Sequence, residues 1–153
     1  MKPQVRIQPE DFDVSAEMLA LRAATRGIGA VVNFVGVVRD ENDARTVGAM
    51  TLEHYPGMTE KAITEIVLEA EDRWRILGAT VIHRIGVLEP GDQIVLVAVA
   101  SGHRGDAFQA CEYIMDFLKT RAPFWKKEST PDGERWVAYR SSDDAAAKRW
   151  AQP

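Results

Sequence analysis

A single cysteine, Cys111, is the only thiol in the chain. It cannot build an internal disulfide framework, and a reducing compartment suits it. Long apolar runs are missing as well. The longest, Ile94 to Ala100, falls far short of the ~20 residues that a membrane-crossing helix needs. Met1 to Ile7 carries no apolar stretch of signal-peptide length. Positive charge is not in excess: 19 Lys and Arg face 23 Asp and Glu, for a formal net charge of −4. A dedicated nucleic-acid binder is usually basic overall. The three histidines, His54, His83 and His103, sit on separate segments without metal-ligand spacing, which argues against a metal site. No G-x-S-x-G, no phosphate-binding G-x-x-x-x-G-K loop and no dinucleotide fingerprint occurs. What remains is the expectation of a soluble, cytoplasmic protein that carries no metal and no resident cofactor.

The 153 residues suit one domain spanning 1–153. A chain of this length buries roughly 70% of its unfolded surface, enough for one core. No internal repeat, low-complexity stretch or linker interrupts it.

Val5 to Ile7 reads as a short strand. Asp13 or Ser15 can cap a helix running to about Thr25. Ala30 to Val38 is β-branched and mostly apolar, as a buried strand is. Arg39 to Arg45 reads as a polar loop, and Val47 to His54 as a strand stopped by Tyr55-Pro-Gly. Thr59 then caps the clearest helix, with Ala62, Ile63, Ile66, Val67, Ala70 and Trp74 at three- and four-residue steps. Gly78 is its expected stop. Ala79 to Ile85 and Gln93 to Ser101, around Glu89-Pro-Gly-Asp92, are expected to pair as a hairpin. Ala107, Phe108, Cys111, Met115 and Leu118 mark a helix ending near Arg121, ahead of Pro123. Phe124 to Glu128 and Arg135 to Tyr139 read as short strands around Asp132-Gly133, and Ser142 or Asp143 caps a last helix through Trp150. Hairpins mixed with amphipathic helices predict an α+β domain with a mixed, mostly antiparallel sheet.

The most informative string is Lys119-Thr-Arg-Ala-Pro-Phe-Trp-Lys-Lys-Glu128. Four cations bracket a proline and two aromatics within an acidic chain. That pattern points to a discrete anionic ligand rather than to polyanions at large. Lys119 and Lys126 are the candidates for chemistry. Lys119 in a last helical turn also complements the helix dipole, which is its plainer role. Lys126 and Lys127 are adjacent and point to opposite faces of a strand, so one of them reaches a site while the other is solvated or paired with Glu128. Phe124 and Trp125 can stack on a flat heterocycle or serve as core or interface residues. His103-Arg104 opens the helix that ends at Lys119, where free backbone N–H groups and a guanidinium suit a phosphate; a loop histidine and a surface arginine are the plainer reading. Arg39 ends the strand Phe34-Val-Gly-Val-Val, again as a ligand contact or as an exposed cation. Helix rise separates Arg104 from Lys119 by roughly 22 Å, so either the pocket is elongated or one end belongs to a neighbouring subunit; the second is favoured, because a homodimer can bring opposite helix ends together. Cys111 falls on an apolar helix face and reads as core.

Taken together, Phe34-Val-Gly-Val-Val-Arg39, Leu52-Glu-His-Tyr-Pro-Gly-Met-Thr-Glu-Lys61, His83-Arg-Ile-Gly86, Ser101-Gly-His-Arg104 and Lys119 to Lys126 resemble the large, catalytic subunit of molybdopterin synthase. They run through nearly the whole chain in family order. The resemblance implies a sulfurtransferase that converts cyclic pyranopterin monophosphate into molybdopterin. Its sulfur comes from the C-terminal thiocarboxylate of a small ubiquitin-like partner. A central homodimer within a heterotetramer is implied too, with pockets drawn from both large subunits. Carried over by position, His103, Arg104 and Arg39, with Val37 and Val38 beside it, hold phosphate and pterin. Lys119 meets the thiocarboxylate tail, and Lys126, with Lys127 and Glu128, completes the pocket. A non-catalytic module binding a phosphorylated heterocycle or a ubiquitin-like tail is the alternative. A single-strand nucleic-acid binder stacking bases on Phe124 and Trp125 is a third reading, against which the net charge weighs.

Overall fold

The computed structural model describes residues 1–42, 45–46, 48–136 and 141–151. Its strands are β1 (Gln4–Gln8), β2 (Ala30–Val37), β3 (Glu41–Asn42), β4 (Arg45–Thr46), β5 (Met50–His54), β6 (Ile76–Arg84), β7 (Gly86–Leu88), β8 (Gln93–Ser101), β9 (Phe124–Thr130) and β10 (Gly133–Trp136). Its helices are α1 (Val14–Ala23), α2 (Met58–Arg73), α3 (Arg104–Arg121) and α4 (Ser141–Lys148), the last followed by a short 3-10 turn, Arg149–Ala151.

The apolar run of β8 is central in a four-stranded sheet of order β1-β6-β8-β2. It is covered on both faces, which is why it does not alternate with polar residues. Val95, Val97 and Val99 face α2 and α3 in the main core, where Ile63, Ile66, Val67 and Ile114 are fully buried. Leu96, Ala98 and Ala100 face the other way, toward Phe12 and Leu21 around α1. Only β1 runs parallel to its neighbour, β6; the remaining pairs in this sheet are antiparallel. A second sheet, all antiparallel, has the order β10-β9-β5-β7. Its inner face buries Met50, Leu52 and Leu88 with Val38. The α+β class with a mixed, mostly antiparallel sheet arrangement holds. The expected pairing of β6 with β8 is present, with β7 inserted in the connection and diverted to the second sheet.

Several local expectations are corrected. Gly78 does not stop α2; it lies inside β6, where a Cβ would stand 2.9 Å from Leu21 Cδ1. The glycine admits α1 to the sheet. The helix ends instead at Arg73, and Trp74 turns extended to pack edge-on against Tyr113 and Trp150, each with ring centroids 5.4 Å away. The N-cap of α2 is Gly57, at φ +84°, a left-handed backbone that glycine adopts freely. Thr59 sits two residues later, fully buried. Its Oγ1 accepts from the Tyr55 N–H and donates to the Pro123 carbonyl, both at 3.0 Å. Asp13 rather than Ser15 caps α1, accepting from the Ala16 N–H. The polar loop after Arg39 contains the short pair β3–β4. Val47 and the stretch Val137 to Tyr139, both expected in strands, lie outside the described residues, as does the Ser142 side chain expected as a cap.

Candidate active site

A cleft of about 650 Å³ opens where the two sheets meet the C-terminal end of α3. Each wall has a local cause. From α3, the last turn delivers Lys119, exposed beside buried Leu118. Pro123 cannot continue the helix, and the chain turns at Ala122 into β9. There Leu52 pairs with Lys126 and Met50 with Glu128, so Lys126 projects on the inner face of that sheet, toward the cleft. From β2, a register shift between Gly36 and Val37 turns the strand end outward, and Val37 and Arg39 line the rim. Phe34 and Trp125 add half-exposed rings.

The sequence-based candidates divide over this geometry. Val37, Arg39, Lys119 and Lys126 share the cleft. Val38 does not: it is 2% exposed, and its backbone exchanges hydrogen bonds with Asp92 and Gly91. Lys127 points to the opposite face, as adjacency in a strand requires. Its Nζ pairs with Glu134 at 3.2 Å, not with Glu128, and lies 5.5 Å from the Trp136 ring centroid. Glu128 is 1% exposed and accepts from Arg135 Nη2 at 3.0 Å. His103 and Arg104 stand at the far end of α3. His103 lines a smaller hollow of about 290 Å³ with Arg26, Arg75, Ser101 and Asp106. That hollow is built by a tight approach: Gly29 donates to the Ser101 carbonyl at 2.9 Å, and a Cβ at Gly29 would stand 2.3 Å from the Gly102 oxygen. Within one chain, then, the two cationic ends of α3 belong to separate concavities.

One cleft residue escaped the sequence reading of the site. His83 sits on β6 in the row of Ala79 and Val81, so the strand's two-residue period turns it toward the end of α3. It is 5% exposed. Its Nδ1 lies 2.8 Å from the Arg84 carbonyl, so Nδ1 carries the proton and donates it there. Its ring stacks on Phe124 with centroids 3.8 Å apart and planes at 20°. Burial pushes its pKa down to about 3; the Arg84 bond, next in size, opposes this, and the charges of Lys126, Lys119 and His54 add to the lowering. The ring is therefore neutral in the folded protein near neutral pH. The only signal in the sequence is its place in the quoted string His83 to Gly86; a strand phase is needed to know where it points.

That depressed pKa has a sign for stability. Unfolded, the ring protonates near pH 6.5; folded, it does so only near 3. Its contribution is intact above pH 6.5 and is lost as pH falls from there toward 3, at up to about 1.4 kcal/mol per pH unit. Between pH 7 and 4.5, denaturant unfolding of the native protein should lose roughly 2–3 kcal/mol more than that of His83→Phe. Parallel declines for the two proteins would contradict this reading of His83.

Cys111, buried with its Sγ 3.7 Å from the Val97 carbonyl, has its thiol pushed up to about 12 by burial and, secondarily, by Glu112. A thiol so held is no nucleophile at neutral pH. Among the described residues no group of three or more His, Cys, Asp and Glu side chains could hold a metal ion, and no helix is long and apolar enough to cross a membrane.

Residues 7–121 match the family described as MoaE protein. The chain is 61% identical over 148 residues to the molybdopterin synthase catalytic subunit of Ralstonia nicotianae, covering 97% of this chain and 84% of that one. It is 60% identical over 148 residues to the subunit of the same name from Pseudomonas aeruginosa, covering 97% and 99%. Among solved structures, the molybdopterin biosynthesis MoaE protein from Burkholderia ambifaria superposes with a TM-score of 0.85 at 58% identity, over 99% of each chain.

Proposed function

The chain belongs to the MoaE family of molybdopterin synthase catalytic subunits, and from that premise we propose that sulfur is moved onto a pterin in the cleft of Lys119 and Lys126. The observation that carries this reading is the convergence of two lysines from different elements, with Arg39 beside them, in a chain whose only thiol is sealed in the core. The cleft has charge for an anion and for a developing oxyanion but no sulfur of its own, so the sulfur must be carried in. A small ubiquitin-like partner with a C-terminal thiocarboxylate is the carrier, and cyclic pyranopterin monophosphate the acceptor.

The thiocarboxylate sulfur attacks an oxygen-bearing side-chain carbon of the pterin; the C–O bond there breaks, its oxygen leaving with the opened phosphate at one carbon and as water at the other, and the partner's tail stays attached as a thioester. Water then adds to the thioester carbonyl. The tetrahedral oxyanion is held by the Lys119 ammonium, compact and mobile on its stem. Lys126, on the opposite wall, balances charge on the pterin and can pass a proton. Collapse releases the tail as a carboxylate and leaves sulfur on the substrate; a second loaded partner repeats the step to complete the dithiolene. Arg39 reaches the substrate phosphate from the rim. The smaller hollow with His103, and Arg104 next to it at the start of α3, comes from a second copy of the chain, which brings this end over the first copy's cleft and resolves the helix-length separation. Glu128 and Val38 shape the wall without touching substrate, and Lys127 faces away. We place the reaction in the cytoplasm, where reducing conditions keep the thiocarboxylate from oxidation.

The experiment is a reconstitution: the purified chain, thiocarboxylated small subunit and cyclic pyranopterin monophosphate, followed by detection of the dithiolene product. Product is the expected result. Binding of both reactants without product would leave only the binding-module alternative.

A further inference from the structure

Lys119 and Lys126 belong to different elements joined by the turn at Ala122 and Pro123. The ladder with β5 pairs Lys126 with Leu52 and Phe124 with His54, and so fixes β9 within the second sheet. Two groups from elsewhere in the fold tie the turn and the start of β9 to α2 and to the first sheet. The Thr59 hydroxyl, from α2, donates to the Pro123 carbonyl at 3.0 Å. The His83 ring, from β6, lies flat on Phe124 at 3.8 Å. His83 is itself locked by its Nδ1 contact with the Arg84 carbonyl at 2.8 Å, and it lines the same cleft as the two lysines.

Building on the sulfur-transfer reading of this cleft, we infer that His83 is a positioning residue: through its stack on Phe124 it holds Lys126 at a fixed reach from Lys119. The role asks for a flat, uncharged ring. Phenylalanine can fill it; leucine matches the apolar bulk without the flat face. Charge has to stay out, because the groups facing the ring from the neighbouring elements are Lys119 on α3, Lys126 on β9 and His54 on β5. A third cation there would repel both lysines. Misplacing a reacting group by about 1 Å can cost on the order of 100-fold in rate, so the effect belongs in kcat rather than in substrate binding.

The test compares native protein, His83→Phe and His83→Leu in the reconstituted sulfur-transfer assay, with kcat and KM measured separately and rates expressed per folded chain. The expected pattern is His83→Phe within about threefold of native kcat and His83→Leu lowered at least tenfold, with KM within about threefold in both. The kcat profile of His83→Phe should also keep the native pH dependence from pH 6 to 8. A folded His83→Leu with native kcat, or a His83→Phe as slow as His83→Leu, overturns the inference. Should His83→Leu not fold, Phe124→Leu removes the same stack from the other side and takes its place with the same expectation. Native protein that makes no product sinks the sulfur-transfer reading itself; active native protein with an unaffected leucine variant sinks only the role of His83.

Discussion

Replacing Lys119 with alanine is expected to lower kcat by about 10³-fold or more while leaving the protein folded. The two halves of that expectation have separate grounds. Lys119 is exposed on the last turn of α3 and makes no ion pair among the described residues. Its structural contribution is the favourable meeting of a cation with the helix C-terminus, worth about 0.3–1 kcal/mol. Thermal unfolding should therefore move by only a few degrees. The rate loss is large because the ammonium acts where charge develops during breakdown of the thioester. Lys119→Arg keeps the charge but not the compact head or an amine able to give up its proton, and should recover only part of the rate. A Lys119→Ala protein retaining more than a tenth of native turnover would remove this residue from the chemistry.

Glu128 should show the opposite signature: a large effect on stability. Its carboxylate is buried on the inner face of the second sheet, opposite Met50, and is met by Arg135 from β10 at 3.0 Å. The resemblance of the surrounding string counts it with the pocket, but its contacts are those of a clamp between strands β9 and β10. Glu128→Ala takes away one side of the pair and leaves a guanidinium whose Nε already has no hydrogen-bond partner. Removing one member of a fully buried pair costs about 3–5 kcal/mol. Arg135 retains some access to solvent, so about 2–4 kcal/mol is expected here, or a melting temperature lowered by roughly 6–12 °C. Glu128→Gln, which keeps an acceptor in place, should lose about half as much. Normal melting of Glu128→Ala together with a raised KM would mean that the carboxylate serves the substrate after all.

The lysines show how far residue order alone could carry the site. Adjacency along a strand was enough to say that Lys126 and Lys127 part company, and a helix rise was enough to say that Arg104 and Lys119 lie far apart. Both follow from local geometry. The partners do not: Glu134 reaches Lys127 and Arg135 reaches Glu128 because of a strand register. His83 was hidden for the same reason. Its chemistry depends on lying in the Val81 row and on meeting Phe124, a residue 41 positions later. The buried run of β8 and the period of α2 announced those elements plainly, whereas Gly78 misled because a glycine after a helix and a glycine inside a strand against Leu21 look alike in one dimension. The parallel β1–β6 pair joins segments more than 70 residues apart, a pairing on which short-range patterns are silent.

The account stands on one site made from two copies of the chain, the lysine cleft of one and the His103–Arg104 end of the other. Co-purifying a mixed dimer through two different tags, Lys119→Ala on one chain and Arg104→Ala on the other, tests this directly. Each variant alone should be nearly inactive. The mixed dimer holds one site with both defects and one with none, so it should recover about half of native sulfur transfer. A mixed dimer as inactive as its parents would show that each chain supplies its own site and would contradict the arrangement.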